Sequence, residues 1–183
     1  MYKSIFFIII IVFLSIGCNR KYNNHYANVF REQRQNTQQK SEQEKIDEQL
    51  LKINQIHNEK EIQQIKGYIK RRNYDMQQLD NGIFIQKIKK GENKYIDSTS
   101  KVSTYCDISL LDGKKVFSGK KTIDMKTESD VVGLIYALNG VEDKSTIRCI
   151  IPSFLAYGLN GDGKNIPKKA TLIYEIQVLK ILN

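Results

Sequence analysis

Tryptophan is absent from this chain, histidine occurs twice and cysteine three times. The two histidines, His25 and His57, lie in the polar N-terminal third, away from any cysteine or carboxylate cluster. A multi-histidine metal centre and a histidine-based triad therefore lack material, and both rings read as solvated surface groups. Cys18, Cys106 and Cys149 share no CxxC spacing. Cys106 and Cys149 sit in apolar, strand-like runs, where a buried free thiol is the ordinary state. Outside the cytoplasm a disulfide between them stays open, because sequence does not give the distance between their Cα atoms. No apolar run approaches the roughly 20 residues that span a bilayer as a helix. Formal net charge is +9. The basic residues are dispersed among Glu and Gln, with no arginine block, zinc-finger spacing or RNA-binding motif, so no nucleic-acid partner is expected. The 183 residues allow one domain of ordinary size plus appendages.

At the N-terminus Lys3 precedes an unbroken apolar run over residues 5–14, followed by Ser15, Ile16, Gly17 and Cys18. Such a run has the length of a secretory h-region. The Gly17-Cys18 step resembles a lipoprotein processing site, although Ser15 stands where Leu, Val or Ile is usual and Leu14 lies one position earlier. The resemblance implies a signal peptide over 1–17 and diacylation of Cys18 as the new N-terminus. More than one acyl chain gives firm membrane attachment, since each buried CH₂ contributes about 0.8 kcal/mol.

Residues 18–40 are rich in Asn, Gln and Arg and poor in aliphatics, which predicts a flexible tether. From residue 41 to 73 the pattern changes. Ile46, Leu50, Ile53, Ile56, Ile62, Ile65 and Ile69 recur mostly at steps of three and four, which predicts an amphipathic helix. Arg71, Arg72 and Asn73 suit its end. The stripe serves equally for packing on the chain's own domain or for pairing two copies in a homodimer.

Beyond Asn81-Gly82, alternation over residues 83–88 and an apolar run over 102–111 predict strands. Asp112-Gly113 marks a hairpin-type turn before Val116 and Phe117. A short helix follows, with Thr127 as expected N-cap, Asp130 at the capping-box position and Asn139-Gly140 as the stop. Val131, Val132, Leu134, Ile135 and Leu138 supply its apolar side. Residues 146–151 and 171–182 read as further strands, the last placing Leu172, Tyr174, Ile176 and Val178 on one face. Several strands around one helix is an α+β layout.

The segment Ile151-Pro152-Ser153-Phe154-Leu155-Ala156-Tyr157-Gly158 closely resembles the Ile-Pro-x-x-Leu-Ala-Tyr-Gly segment of the FKBP family. Gly161, Gly163, Ile166-Pro167, Ala170-Thr171-Leu172 and Tyr174-Glu175-Ile176 keep that family's spacing to the chain end. The resemblance spans 79–183 and implies an antiparallel sheet wrapped around one short helix. It also implies catalysis of rotation about the peptide bond before proline in polypeptide substrates, without nucleophile, metal or cofactor. The layout as a whole is similar to gliding-motility-associated FKBP-type lipoproteins. That similarity implies a membrane-anchored place in the cell envelope, facing the periplasm.

By this resemblance, Tyr157 is the pocket tyrosine whose hydroxyl bonds a ligand carbonyl. Val131 offers a backbone N–H to substrate, Ile166 lines the loop side, Tyr174 forms the floor and Phe117 is the aromatic after the turn. Leu134 stands where the family has a tryptophan, Ser118 where it has an aspartate, and residues 121–125 carry no aromatic. These departures imply a shallower, less aromatic pocket. An isomerase and a non-catalytic binding module both fit, and Phe154 and Leu159 would suit a chaperone that grips unfolded chains.

Overall fold

In the computed structural model the backbone is described for residues 2–127 and 130–182, and side chains for these except 2–27, 35, 36, 38, 39 and 41. The side chains of the expected signal peptide and of Cys18 lie outside the described residues. The chain divides into two compact units, Met1–Asn54 and Gln55–Asn183.

Helix α1 runs Tyr2–Arg72. The stretch expected as a tether, 18–40, is thus helical. No glycine or proline interrupts 18–66, and Gln, Lys, Arg and Glu are good helix formers. The entropy argument for a tether concerned tertiary burial, which an exposed helix does not need. A local side-chain bond supports the helix, the Gln43 amide donating to Asp47 one turn on (2.9 Å). Among the described residues no helix is long and apolar enough to cross a membrane. The helix ends as expected: Asn73 turns left-handed at φ 53°, and Tyr74 N–H closes onto the Ile69 carbonyl at 3.1 Å.

The second unit holds a six-stranded antiparallel sheet in the order β1-β2-β7-β8-β4-β5. Its strands are β1 (Gln77–Gln78), β2 (Phe84–Lys89), β4 (Lys101–Leu110), β5 (Lys115–Asp124), β7 (Thr146–Ile151) and β8 (Leu172–Ile181). A small second sheet pairs β3 (Glu92–Tyr95) with β6 (Glu142–Asp143). The three shortest strands were not legible in the sequence. Strand β1 pairs locally with β2, whereas β3 and β6 are fixed by non-local bonds, such as Glu142 accepting from Gly91 N–H (2.7 Å) and Asp143 accepting from Ile181 N–H (2.9 Å). The expected turn is present: Gly113, at φ 90°, donates to the Leu110 carbonyl, and Asp112 accepts from Lys114 N–H.

Alternation along β7 and β8 sorts side chains onto two faces. Ile147, Cys149, Ile151, Leu172, Tyr174, Ile176 and Val178 join the main core. Helix α2 (Val132–Leu138) covers this face, burying Leu134, Ala137 and Leu138. Ile150 and Ile173 point the other way, with Phe84, and there meet Ile65 and Tyr68 of α1. Ile62 and Ile69 pack beside them. The compact unit therefore begins well before residue 79, because the last turns of α1 roof the second face of the sheet. Farther toward the N-terminus of the same stripe, Ile46, Leu50, Ile53 and Ile56 are exposed.

The start of α2 differs from expectation. Its N-cap is Val131, without a side-chain cap bond, and Thr127 instead closes onto the Asp124 carbonyl at 3.4 Å. Asp130 does not complete a capping box because Lys121 engages its carboxylate. The C-terminal stop holds, with Asn139 as C-cap and Gly140 N–H donating to Ile96 at 2.7 Å. Cys106 and Cys149 are buried free thiols.

Gly133 marks the closest approach of α2 to the sheet. A Cβ there would fall on Ile151 Cγ2 and on the Leu155 carbonyl. Overpacking of this kind costs about 1–3 kcal/mol. Gly133→Ala is expected to lower the urea midpoint by a corresponding amount with an unchanged m value, and an unchanged midpoint would contradict this packing.

Candidate active site

Antiparallel register decides which side chains share the inner face. Phe117 pairs with Ile108, Gly119 with Cys106 and Lys121 with Thr104, all on the face that α2 covers. Ser118 pairs with Asp107 and faces outward, where its hydroxyl meets Tyr105 Oη at 3.2 Å. The position expected to hold a site acid therefore points away from the site. The carboxylate on the inner side is Asp130, whose side chain is 3% exposed and ion-paired with Lys121. Sequence reading gave these two residues no site role. Their pairing joins β5 to the start of α2 and is set by tertiary structure alone.

Tyr174, on β8, lies opposite Cys149 on one side and Ile108 on the other. It is almost fully buried, and Val131, Leu134 and Ile166 belong to the same apolar cluster. Leu134 is completely buried and underlies the site rather than lining its opening. Tyr157 is 37% exposed and lies within electrostatic range of Asp130, Lys121 and Asp162. Tyr174 feels Asp130 and Tyr157 in turn. Five of the six residues expected at the site thus converge, from β8, the start of α2 and the 153–171 loop. Phe117, 39% exposed on edge strand β5, occupies the same face at the rim.

The loop that delivers Tyr157 and Ile166 is internally bonded. Ala156 and Gly158 N–H both donate to the Ser153 carbonyl (3.0 and 2.8 Å), and Gly161 N–H donates to the Tyr157 carbonyl (3.2 Å). Asp162 accepts from Ile166 N–H (2.7 Å) and Lys164 N–H (2.9 Å). Those bonds hold its carboxyl below the usual range, the Ile166 bond most of all. Asp162 places Ile166, and an Asp between two glycines was the only sequence signal for it. Val131 N–H, expected to face substrate, donates to Asp130 Oδ1 at 2.9 Å. A substrate carbonyl must displace that carboxylate to use it.

Burial raises the pKa of both tyrosines, and Asp130 adds to the effect. For Tyr157 the Lys121 ammonium pulls the other way, and Asp162 raises it further. Burial likewise pushes up the Cys106 thiol. At neutral pH both phenols are therefore neutral, and they stand beside the Lys121–Asp130 salt bridge in apolar surroundings. Among the described residues no group of three or more His, Cys, Asp or Glu is placed to hold a metal ion.

Residues 84–179 match the family of FKBP-type peptidyl-prolyl cis-trans isomerases. The chain is 28% identical over 141 residues to the FKBP-type peptidyl-prolyl cis-trans isomerase FkpA of Buchnera aphidicola, covering 73% of this chain and 54% of the relative. It is 36% identical over 66 residues to peptidyl-prolyl cis-trans isomerase FKBP9 of Homo sapiens, covering 32% of this chain and 12% of the relative. It thus spans 12% of one curated relative's length and 54% of the other's. A crystal structure of a peptidyl-prolyl cis-trans isomerase from Pseudomonas syringae superposes with a TM-score of 0.58 at 22% identity, covering 68% of this chain and 95% of that one. That likeness shows the fold.

Folded Tyr157 and Tyr174 hold their protons more tightly than unfolded tyrosine, which ionises near about 10. Their contribution to stability is complete below that pH and is lost as pH rises toward the folded values. Ultraviolet titration should show a late-ionising phase to which Tyr157 and Tyr174 contribute together with Tyr68, whose ionisation burial also delays, with stability falling above about pH 10. Tyr157→Phe/Tyr174→Phe should reduce the late phase to the Tyr68 contribution, and a late phase of undiminished amplitude would contradict the assignment.

Proposed function

Since the chain belongs to the FKBP-type peptidyl-prolyl cis-trans isomerase family, we propose that it accelerates rotation about Xaa-Pro bonds in polypeptide substrates while held at the bacterial envelope by a lipidated Cys18. The observation that carries the catalytic part is the convergence of Tyr157, Tyr174, Val131 and Ile166 at one apolar site. The planar amide owes its stiffness to resonance, which is lost in the twisted form. Water stabilises the more dipolar planar form, so an apolar site favours the twisted one. The Tyr157 hydroxyl, neutral at physiological pH, donates to a substrate carbonyl and fixes the flanking backbone, while Ile166 and the Tyr174 ring bound the proline.

The anchoring part rests on the apolar run over 5–14 and the Gly17-Cys18 step. The arrangement of signal, helix and domain supports a periplasm-facing lipoprotein of the gliding-motility-associated kind. The exposed Ile46, Leu50, Leu51, Ile53 and Ile56 support pairing of two chains through this helix. A second reading, a binding module or chaperone without turnover, draws on the exposed Phe154 and Leu159 at the site loop.

The catalytic reading is checked by NMR exchange on a short Xaa-Pro peptide with the detergent-solubilised full chain. Wild type should accelerate exchange. Tyr157→Phe, which removes one hydrogen bond of about 1–1.5 kcal/mol, should lower kcat/KM about tenfold. A folded protein with no acceleration leaves the binding module. For the anchor, bacteria expressing the chain should incorporate labelled palmitate, and Cys18→Ala should abolish the label. Label retained by the variant would rule out Cys18 as the acceptor.

A further inference from the structure

The loop that carries Tyr157 and Ile166 has two feet, Ser153 and Thr171, and one carboxylate from α1 binds both. Glu61 Oε1 accepts from Ser153 N–H at 2.7 Å and from the Thr171 hydroxyl at 2.6 Å. Its Oε2 accepts from the Ser153 hydroxyl at 2.8 Å. Ser153 and Thr171 are buried, and Glu61 is half-buried. A carboxylate only accepts hydrogen bonds, and three donors from the two feet converge on this one. Ile62 of α1 and Phe154 of the loop also flank the same turn glycine, each 3.4 Å from the place a Cβ would occupy on Gly82.

Both feet are tied to site residues. The Ser153 carbonyl receives Ala156 and Gly158 N–H, which fold the chain around Tyr157. Thr171 directly precedes β8, which carries Tyr174. Ile166 hangs between them. The separation of the feet therefore sets the relative placement of all three side chains. Catalysis by placement is sensitive to it, since a shift of about 1 Å can cost about 100-fold in rate.

We propose that Glu61 is a positioning residue of the isomerase site, and that the end of α1 belongs to the working catalytic unit. This rests on the isomerase reading above. Glu61 touches no substrate; it acts by holding the feet of the 153–171 loop at a fixed distance.

The test compares wild type, Glu61→Ala and Glu61→Gln in the full chain. Glutamine can keep all three bonds. Its carbonyl accepts from Ser153 N–H and the Thr171 hydroxyl, and its amide donates to a Ser153 hydroxyl that turns its proton away. Two quantities are read: kcat/KM on an Xaa-Pro peptide, and hydrogen exchange at the Ala156 and Gly158 amides relative to Ile147 and Ile176. Glu61→Ala should speed exchange at the loop amides at least tenfold relative to the core amides and lower kcat/KM about tenfold. Glu61→Gln should stay within twofold of wild type on both. Unchanged loop amides in Glu61→Ala, acceleration shared equally by the core, or a Glu61→Gln loss as deep as that of alanine would each overturn the proposal. If wild type shows no activity, the isomerase reading fails and the positioning role with it, while the exchange arm still reports separately whether Glu61 pins the loop.

Discussion

Strands β7 and β8 carry apolar side chains on both faces, and the fold follows from the need to cover each of them. On the inner face, Cys149, Ile151, Leu172, Tyr174 and Ile176 meet α2. On the outer face, Ile150 and Ile173 meet Ile65 and Tyr68 of α1. An antiparallel sheet can leave one face in water, but not when that face is apolar. Burying a side chain of this size is worth about 1.5–3 kcal/mol, so α1 cannot be removed without exposing a second core. Arg148 belongs to the same outer surface. Its guanidinium stacks over the Tyr74 ring at 4.0 Å and bonds Glu175, closing the margin of that cluster.

The site exists where the inner covering is incomplete. Helix α2 is short, and between its start and edge strand β5 lies the strip that Tyr157 approaches from the 153–171 loop. Into that strip the chain places an ion pair, Lys121–Asp130, beside two tyrosines. Removing a carboxylate from water is costly unless a cation and hydrogen bonds compensate, and here Lys121 and Val131 N–H both do so. The arrangement gives a mainly apolar site one polar wall and occupies the N–H that substrate would otherwise find free.

Much of the fold could be read along the chain because its signals are local. Alternation located β2, an apolar run located β4, one shared apolar face located β8, Asp112-Gly113 located the turn after β4, and Asn139-Gly140 located the end of α2. The loop motif brought Tyr157, Ile166 and Tyr174 into view. Other expectations failed for different physical reasons. Asp130 has capping-box spacing from Thr127, but Lys121 on β5 engages it instead. Ser118 sits next to Phe117 in sequence, yet the pleat sends neighbours to opposite faces. The polar composition of 18–40 suggested open chain, whereas helix needs only favourable local propensity and no breaker.

By itself, then, the sequence determined the class of fold, the positions of β2, β4, β7 and β8, the end of α1 and the loop that carries the site tyrosine. All of these depend on periodicity, turn chemistry and one contiguous motif, which are properties of neighbouring residues. Only the tertiary structure decided that Asp130 rather than residue 118 supplies the site carboxylate, that α1 closes the back of the sheet, and that Glu61 reaches Ser153 and Thr171. The physical reason is that these contacts form only when the strands and helices have assembled: the Glu61 bonds join residues 92 and 110 positions apart, and the inner face on which Asp130 meets Lys121 exists only once the sheet has formed.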